Sequence, residues 1–435
     1  MKVFVKKSIE QLTASTEGET LKRTLGAGSL VALGIGAIIG AGLFVRTAAA
    51  AGEHAGPAVT LSFIVAAIGC AFAGLCYAEF ASIIPIAGSA YTYAYATMGE
   101  IVAWVIGWAL ILEYALGAAT VSISWSEYLN KLVGGGIPYE WCHSPMESVM
   151  INGQSVHGIA NLPALLILVI LSLLLIKGTQ ESATVNGIIV FIKVAIVLVF
   201  IAIGWQYINP ANHHPYIIPD NAPDIKLPNG ETYSYAPFFN HGWGGIISGA
   251  GVVFFAFIGF DAVSTAAQEA KNPSRDMPIG ILGSLVVCTI LYILFSWVLT
   301  GVAPYTDFMK SGKEASVAFA ISEYMHGYGW LSTLVTIAIL AGFSSVILVM
   351  LMGQSRVFYT MSKDGLLPKV FSDLHPKFKT PYKSNMILFI FVGVLVGNCR
   401  CRWELGVAGG GTSVQDRRDC RRLNGGNPLP LPLLT

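Results

Sequence analysis

Stretches free of charge, each close to the length that crosses a bilayer, alternate with short polar segments along most of this chain. A hydrocarbon core about 30 Å thick takes about 20 helical residues to span. Residues 25–45, 55–78, 101–126, 159–176, 182–208, 242–260, 277–306 and 327–355 approach or exceed that length, and only Glu113 and Lys193 interrupt them with charge. The pattern predicts eight spanning helices in an all-α multi-spanning membrane protein. A ninth apolar segment, residues 384–398, has only 15 residues, or about 22 Å of helix at about 1.5 Å per residue, too short for a full crossing.

The polar segments carry an orientation signal. With the N-terminus inside, fourteen lysines and arginines fall on the inner side and five on the outer side, Arg356 being counted in an inner loop at 356–383 and Arg46 on the outer side. That bias predicts a cytoplasmic N-terminus and a multi-pass protein of the cell membrane. Residues 1–24 are polar and contain no short apolar core before a small-residue cleavage site, so they read as a retained cytoplasmic segment. The two longer outer loops, about 129–158 and 209–241, are rich in Pro, Asn, Gly and aromatic residues and are expected to form ordered caps.

Composition narrows the function classes. Apolar residues make up 54% of the chain and charged residues 12%, against about 25% charged in soluble domains. A net charge of +1 supplies no basic face for nucleic acid. The seven cysteines show neither metal-ligand spacing nor the density of a disulfide scaffold. No cofactor and no enzymatic activity are expected.

Chemistry is sought inside the spans. The first contains Gly34, Gly36, Gly40 and Gly42. Glycine weakens a helix by up to about 1 kcal/mol relative to Ala, and two readings fit: a helix interrupted at mid-bilayer, offering free N–H groups to a carboxylate, or close helix packing through small residues. The sixth span repeats the theme with Gly249, Gly251 and Gly259. Two glycine-interrupted segments five spans apart favour an inverted-repeat transporter with its site between them. Unwound carbonyls near Phe255, Ala256 and Ile258 would then accept a substrate ammonium. Three ionisable groups lie at membrane depth, namely Glu113, Lys193 and Asp261, where charge is costly. Desolvation disfavours a buried ammonium, so Lys193 could exchange a proton during a cycle, or it could be a structural cation tied to carbonyls. Glu113 and Asp261 form a candidate polar network, with a structural ion-pair role equally open.

The segment Gly34–Phe44, the run Tyr77–Pro85 followed by Gly88–Tyr93, and the run Phe254–Ile281, most specifically its part Gln268–Ile281, resemble the amino acid, polyamine and organocation transporter superfamily. Within it they are most similar to bacterial permeases of the cationic amino acid transporter family, over about Leu21 to Asn398. The resemblance implies a five-plus-five inverted repeat with discontinuous first and sixth helices, followed by accessory helices. It implies carboxylate contacts at Ile38, Ala41 and Gly42, ammonium contacts at Phe255, Ala256 and Ile258, and a proton-coupling lysine at Lys193. Where some relatives have a hydroxyl residue, position 41 is alanine.

From Cys399 the character changes. Residues 399–435 hold six arginines, a glycine stretch and a Pro-Leu alternation, with no spanning run. They are expected to be an aberrant tail from a shifted reading frame or a truncated gene, leaving the second repeat incomplete and the chain poorly folded. The domain reading is therefore a segment 1–24, a permease domain 25–398 and a tail 399–435. The function expected is proton-coupled movement of an amino acid by alternating access. A membrane sensor or accessory subunit that binds without transporting is the alternative, and a channel is disfavoured because no continuous polar lining is present. No acidic cluster stands ready for a cationic side chain, so a small or apolar amino acid is expected.

Overall fold

A computed structural model describes residue 6 and residues 23–40, 42–145, 148–151, 154–226, 232–310 and 316–398. The expected tail at 399–435 and most of the segment 1–24 lie outside the described residues.

Nine principal helices run up and down through the described chain: α1 Ala27–Ile38, α2 Val59–Ile83, α3 Glu100–Leu132, α4 Leu162–Lys177, α5 Thr179–Gly204, α6 Gly242–Phe254, α7 Pro273–Val302, α8 Gly329–Lys363 and α9 Tyr382–Asn398. Their alternation follows the expected apolar segments; among the described residues six stretches are long and apolar enough to cross a membrane, and α1, α4 and α9, of 12, 16 and 17 residues, are shorter. Large apolar side chains on α2, α3, α4, α5, α7 and α9 face outward, Phe72 and Phe191 among them. In water that surface would aggregate; against lipid it is the expected exterior. The interior is built by α7 packing on α1 and α2, and by α8 packing on α3, α5 and α1.

Both α1 and α6 stop inside the bundle. After Ile38 the backbone is extended at Ile39. The chain resumes as a π-helical turn Gly42–Arg46, a short α-helical stretch Thr47–Ala50 and a second π turn Ala51–Ala55. After Phe254 it tightens into a 3₁₀ turn, Phe255–Phe257, passes through Ile258 in an extended conformation, and continues as a 3₁₀ helix, Asp261–Glu269. In that helix Ser264 Oγ donates to Asp261 O at 2.6 Å and Thr265 Oγ1 to Ala262 O at 2.6 Å. Side-chain bonds of this kind compete with the regular ladder. The sixth span thus reaches nine residues beyond its expected end at residue 260. The chain has the architecture of an inverted-repeat transporter, with its two broken helices five spans apart.

Other boundaries move for packing reasons. Helix α8 runs to Lys363, and residues 355–362 are all buried, so Arg356 is an interior residue of a helix and does not belong to a loop. Both long loops carry regular structure. In the first, β1 Ser148–Ile151 pairs antiparallel with β2 Gln154–His157, Ser148 opposite His157. In the second, β3 Ile225–Lys226 pairs with β4 Thr232–Tyr233. This second loop grips the segment that continues the first span beyond its break: Tyr235 Oη donates to Gly52 O at 2.5 Å and Tyr233 Oη to Glu53 O at 2.6 Å.

Candidate functional site

A helix that ends inside the bundle leaves carbonyls without intrahelical donors, and these need partners in a dry interior. At the α1 break the partners come from three other helices. Lys193 on α5 is wholly buried, and its Nζ donates to Gly36 O at 2.9 Å, to Ile39 O at 2.7 Å and to Ser345 Oγ on α8 at 3.5 Å. Ser345 Oγ in turn lies 2.9 Å from Gly36 O and 2.6 Å from Asn186 Oδ1, and Asn186 Nδ2 donates to Ala32 O at 3.1 Å. Glycine at 36 is what admits this cluster, since a Cβ there would stand 2.6 Å from both Asn186 Oδ1 and Ser345 Oγ. The glycines of the first span therefore serve both readings: Gly36 allows close packing one turn before the helix breaks.

The two breaks are joined by Tyr292 of α7. Its buried hydroxyl lies 2.8 Å from Ile38 O and 2.9 Å from Ala256 O, sharing one proton between them. Backbones also meet directly, for a Cβ on Gly42 would fall 2.2 Å from Ala256 Cα. Gly259 turns the α6 break back toward α1 with φ of +107°, and a Cβ there would be 3.0 Å from that of Ala37. Such a φ suits glycine and few other residues. Phe255 opens the 3₁₀ turn, and its carbonyl accepts from Ile258 N at 3.4 Å. Ile38, Gly42, Ala256, Phe255 and Ile258 thus share one locus, with Lys193 on its α5–α8 side. Ala41 lies outside the described residues.

Among the described residues no hydrogen bond joins the two acidic candidates, although the charge of Asp261 acts on Glu113. Asp261 is buried and accepts from Tyr114 Oη at 2.7 Å. Glu113, the preceding residue on α3, is exposed on the outer surface of the chain. Tyr114 is the residue of this turn that meets Asp261, and nothing in the sequence marked it. A helix turns 100° per residue, so adjacent positions reach different faces, and hydropathy does not say which of the two points inward.

The sequence also concealed the end of the bundle where α1 begins. Arg356 Nε donates to Glu269 Oε1 at 2.8 Å, with Nη2 at 2.7 Å from the same oxygen, and both side chains are fully buried. Glu269 O accepts from Thr24 N and Leu25 N at 2.9 Å each, and Lys271 N donates to Leu25 O at 2.8 Å. Tyr91 Oη donates to Asp364 Oδ2 at 2.7 Å alongside. One ion pair thereby ties the end of the sixth span to α8 and to the strand-like entry into α1. Neither Tyr292 nor Ser345 stood out in its apolar run; a hydroxyl mid-span was the available signal.

Comparison with known proteins agrees with this architecture. A family profile described as amino acid permease matches residues 25–400. The branched-chain amino acid permease BcaP of Bacillus subtilis (strain 168) is 46% identical over 384 residues, covering 87% of this chain and 76% of that protein. The methylthioribose transporter of the same organism is 39% identical over 395 residues, covering 91% and 79%. The chloroplastic cationic amino acid transporter 9 of Arabidopsis thaliana is 39% identical over 376 residues, covering 85% and 60%. Among solved structures, MhsT in complex with L-phenylalanine superposes with a TM-score of 0.58 at 15% identity, covering 91% of this chain and 83% of that one. At that identity the likeness speaks to the fold.

Proposed function

The chain belongs to the amino acid permease family, and on that premise we propose that it is a secondary active transporter carrying a small or apolar amino acid, branched-chain ones foremost, across the cell membrane together with protons. Residues 25–398 form the transport domain in this reading, with the end that holds Leu25, Arg356 and Asp364 on the cytoplasmic side. The substrate lies between the two breaks. The backbone at Ile38, Ala41 and Gly42 takes its carboxylate in this reading, and carbonyls at Phe255, Ala256 and Ile258 take its ammonium. The 46% identity to a branched-chain permease supports the apolar class, as does the absence of any carboxylate among these six positions.

The observation that carries proton coupling is the set of acceptors around Lys193. A protonated lysine has three N–H donors, and here they face three neutral acceptors on two helices, Gly36 O, Ile39 O and Ser345 Oγ. Loss of the proton leaves two donors for three acceptors and turns one lone pair toward a carbonyl. The α1 break then loses part of its attachment to α5 and α8, which is the change alternating access requires of the inner half of that helix. Substrate, by bringing the two breaks together, favours one arrangement over the other in proportion to its differential affinity.

A thermal-shift screen of the twenty amino acids on purified protein tests the substrate class, because a ligand at 100 times its Kd stabilises by about 2.7 kcal/mol. Leucine, isoleucine and valine should give the largest shifts. Their methyl esters and N-acetyl forms should give none, since each break holds one of the two masked groups; undiminished binding of either derivative sinks the reading. The 39% identity to a methylthioribose transporter supports a second reading, in which neither group is needed. Methylthioribose belongs in the same screen, and a shift with it alone would select that reading. Binding without uptake into proteoliposomes would instead support a sensor.

A further inference from the structure

Arg46 stands one turn beyond the α1 break, on the π turn that begins with Gly42. It is half-buried, and its guanidinium lies over the ring of Phe255, 5.8 Å from the ring centroid. Phe255 begins the α6 break, and its neighbour Ala256 is the residue on which Gly42 rests. A fixed cation is therefore held against the aromatic wall of the locus assigned above to the substrate. The acidic group whose charge acts on Arg46 is Glu53. That residue is seven positions further out, and its carbonyl is held by Tyr233 of the outer loop. Its carboxylate also lies 4.0 Å from His54 Nε2, while the guanidinium lies over the Phe255 ring. An arginine stays protonated in any such setting.

Resting on the permease reading, we infer that Arg46 is the charge filter of the substrate site, admitting neutral apolar side chains and excluding cationic ones. A lysine or arginine substrate seated with its α-groups between the breaks must extend its side chain along Phe255 and Ile258, within several ångströms of the guanidinium. At an effective permittivity of about 20, two like charges roughly 8 Å apart discriminate by on the order of 10-fold or more. The cation–π contact favours this placement of the guanidinium. Specificity here comes from a repulsive element as much as from the apolar lining. Phe255, Ile258 and the backbone breaks would present the same apolar surface to a neutral substrate and to a cationic one; Arg46 separates the two.

The test compares lysine with norleucine, which has the same carbon skeleton without the terminal ammonium, in binding to the purified full chain and to Arg46→Gln and Arg46→Lys. The filter predicts that norleucine exceeds lysine by at least about 10-fold in the unaltered protein, that Arg46→Gln lowers this ratio at least about 10-fold, and that Arg46→Lys preserves it. An unchanged ratio in Arg46→Gln, including lysine undetected in both proteins, overturns the inference. A second comparison needs no variant. The apolar lining alone penalises an anionic and a cationic side chain alike, whereas a fixed cation penalises only the latter. 2-Aminoadipate should therefore bind the unaltered protein more tightly than lysine. Equal affinities, or neither ligand detected, count against the filter. Failure of norleucine and leucine to bind at all would overturn the apolar-substrate reading on which the filter rests. Leucine binding with an unchanged ratio would overturn the filter alone.

Discussion

Two cations are wholly buried among the described residues, and they are held in opposite ways. Arg356, at the end where α1 begins, is paired with a carboxylate, Glu269, through two contacts of 2.7–2.8 Å to one oxygen. Lys193, at the helix breaks, has two carbonyls and a hydroxyl as its acceptors. An arginine beside a carboxylate cannot give up its charge without leaving the partner buried and unpaired. A lysine among neutral dipoles can release its proton and strand no ion. The first arrangement suits a fixed fastening, the second a switch, and the residue types match, since lysine exchanges protons when buried and arginine does not.

The largest effect should follow from breaking the fixed pair. Arg356→Met strands Glu269 and should cost about 3–5 kcal/mol, seen as a sharp fall in melting temperature or loss of a monodisperse peak in detergent. Adding Glu269→Leu should recover much of that loss, because a buried ion pair can be replaced by apolar residues at little net cost. If the single variant melts like the unaltered protein, the pair is not a fastening.

Removing the switch should cost less stability and more function. Lys193→Ala leaves Gly36 O and Ile39 O without these donors, at about 1–3 kcal/mol, yet should abolish pH-gradient-driven accumulation. Lys193→Arg should keep binding and lose accumulation, because the replacement cannot deprotonate. Comparing melting curves with gradient-driven uptake for the two variants checks this separation.

Tyr292→Phe removes one hydroxyl shared by Ile38 O and Ala256 O. It should cost about 1–2 kcal/mol and weaken substrate binding several-fold, since the breaks lose the tie that sets their spacing. Smallest of all should be Ser345→Ala, at roughly 0.5–1.5 kcal/mol, with coupling slowed and still present. A Ser345 variant as damaging as Lys193→Ala would mean that α8, and not the ammonium, is the moving contact.

Much of this was legible in the sequence because hydropathy and glycine act locally. The alternation of apolar helices, the breaks in the first and sixth, and Lys193 as an interior cation follow from residues within one segment. The partners did not, because they arrive from distant segments through packing. Ser345 lies 152 residues from Lys193 and Tyr292 lies 254 from Ile38, and a serine or tyrosine in an apolar run carries no mark of what it will meet. Arg356 was misplaced into a loop because a charge ends an apolar run by eye, whereas a paired arginine can continue a buried helix. Tyr114 shows the same limit on a finer scale: adjacent to Glu113 on one helix, it carried no mark in the sequence of the bond it makes to Asp261.

Leucine uptake into proteoliposomes tests the coupling most directly, measured with and without an inward proton gradient for the unaltered protein and for Lys193→Ala. The account predicts accumulation above equilibrium only for the unaltered protein and only with the gradient, while Lys193→Ala retains exchange of leucine down its own gradient. Gradient-driven accumulation by Lys193→Ala at the level of the unaltered protein, with the same pH dependence, would contradict it and leave Lys193 a structural cation.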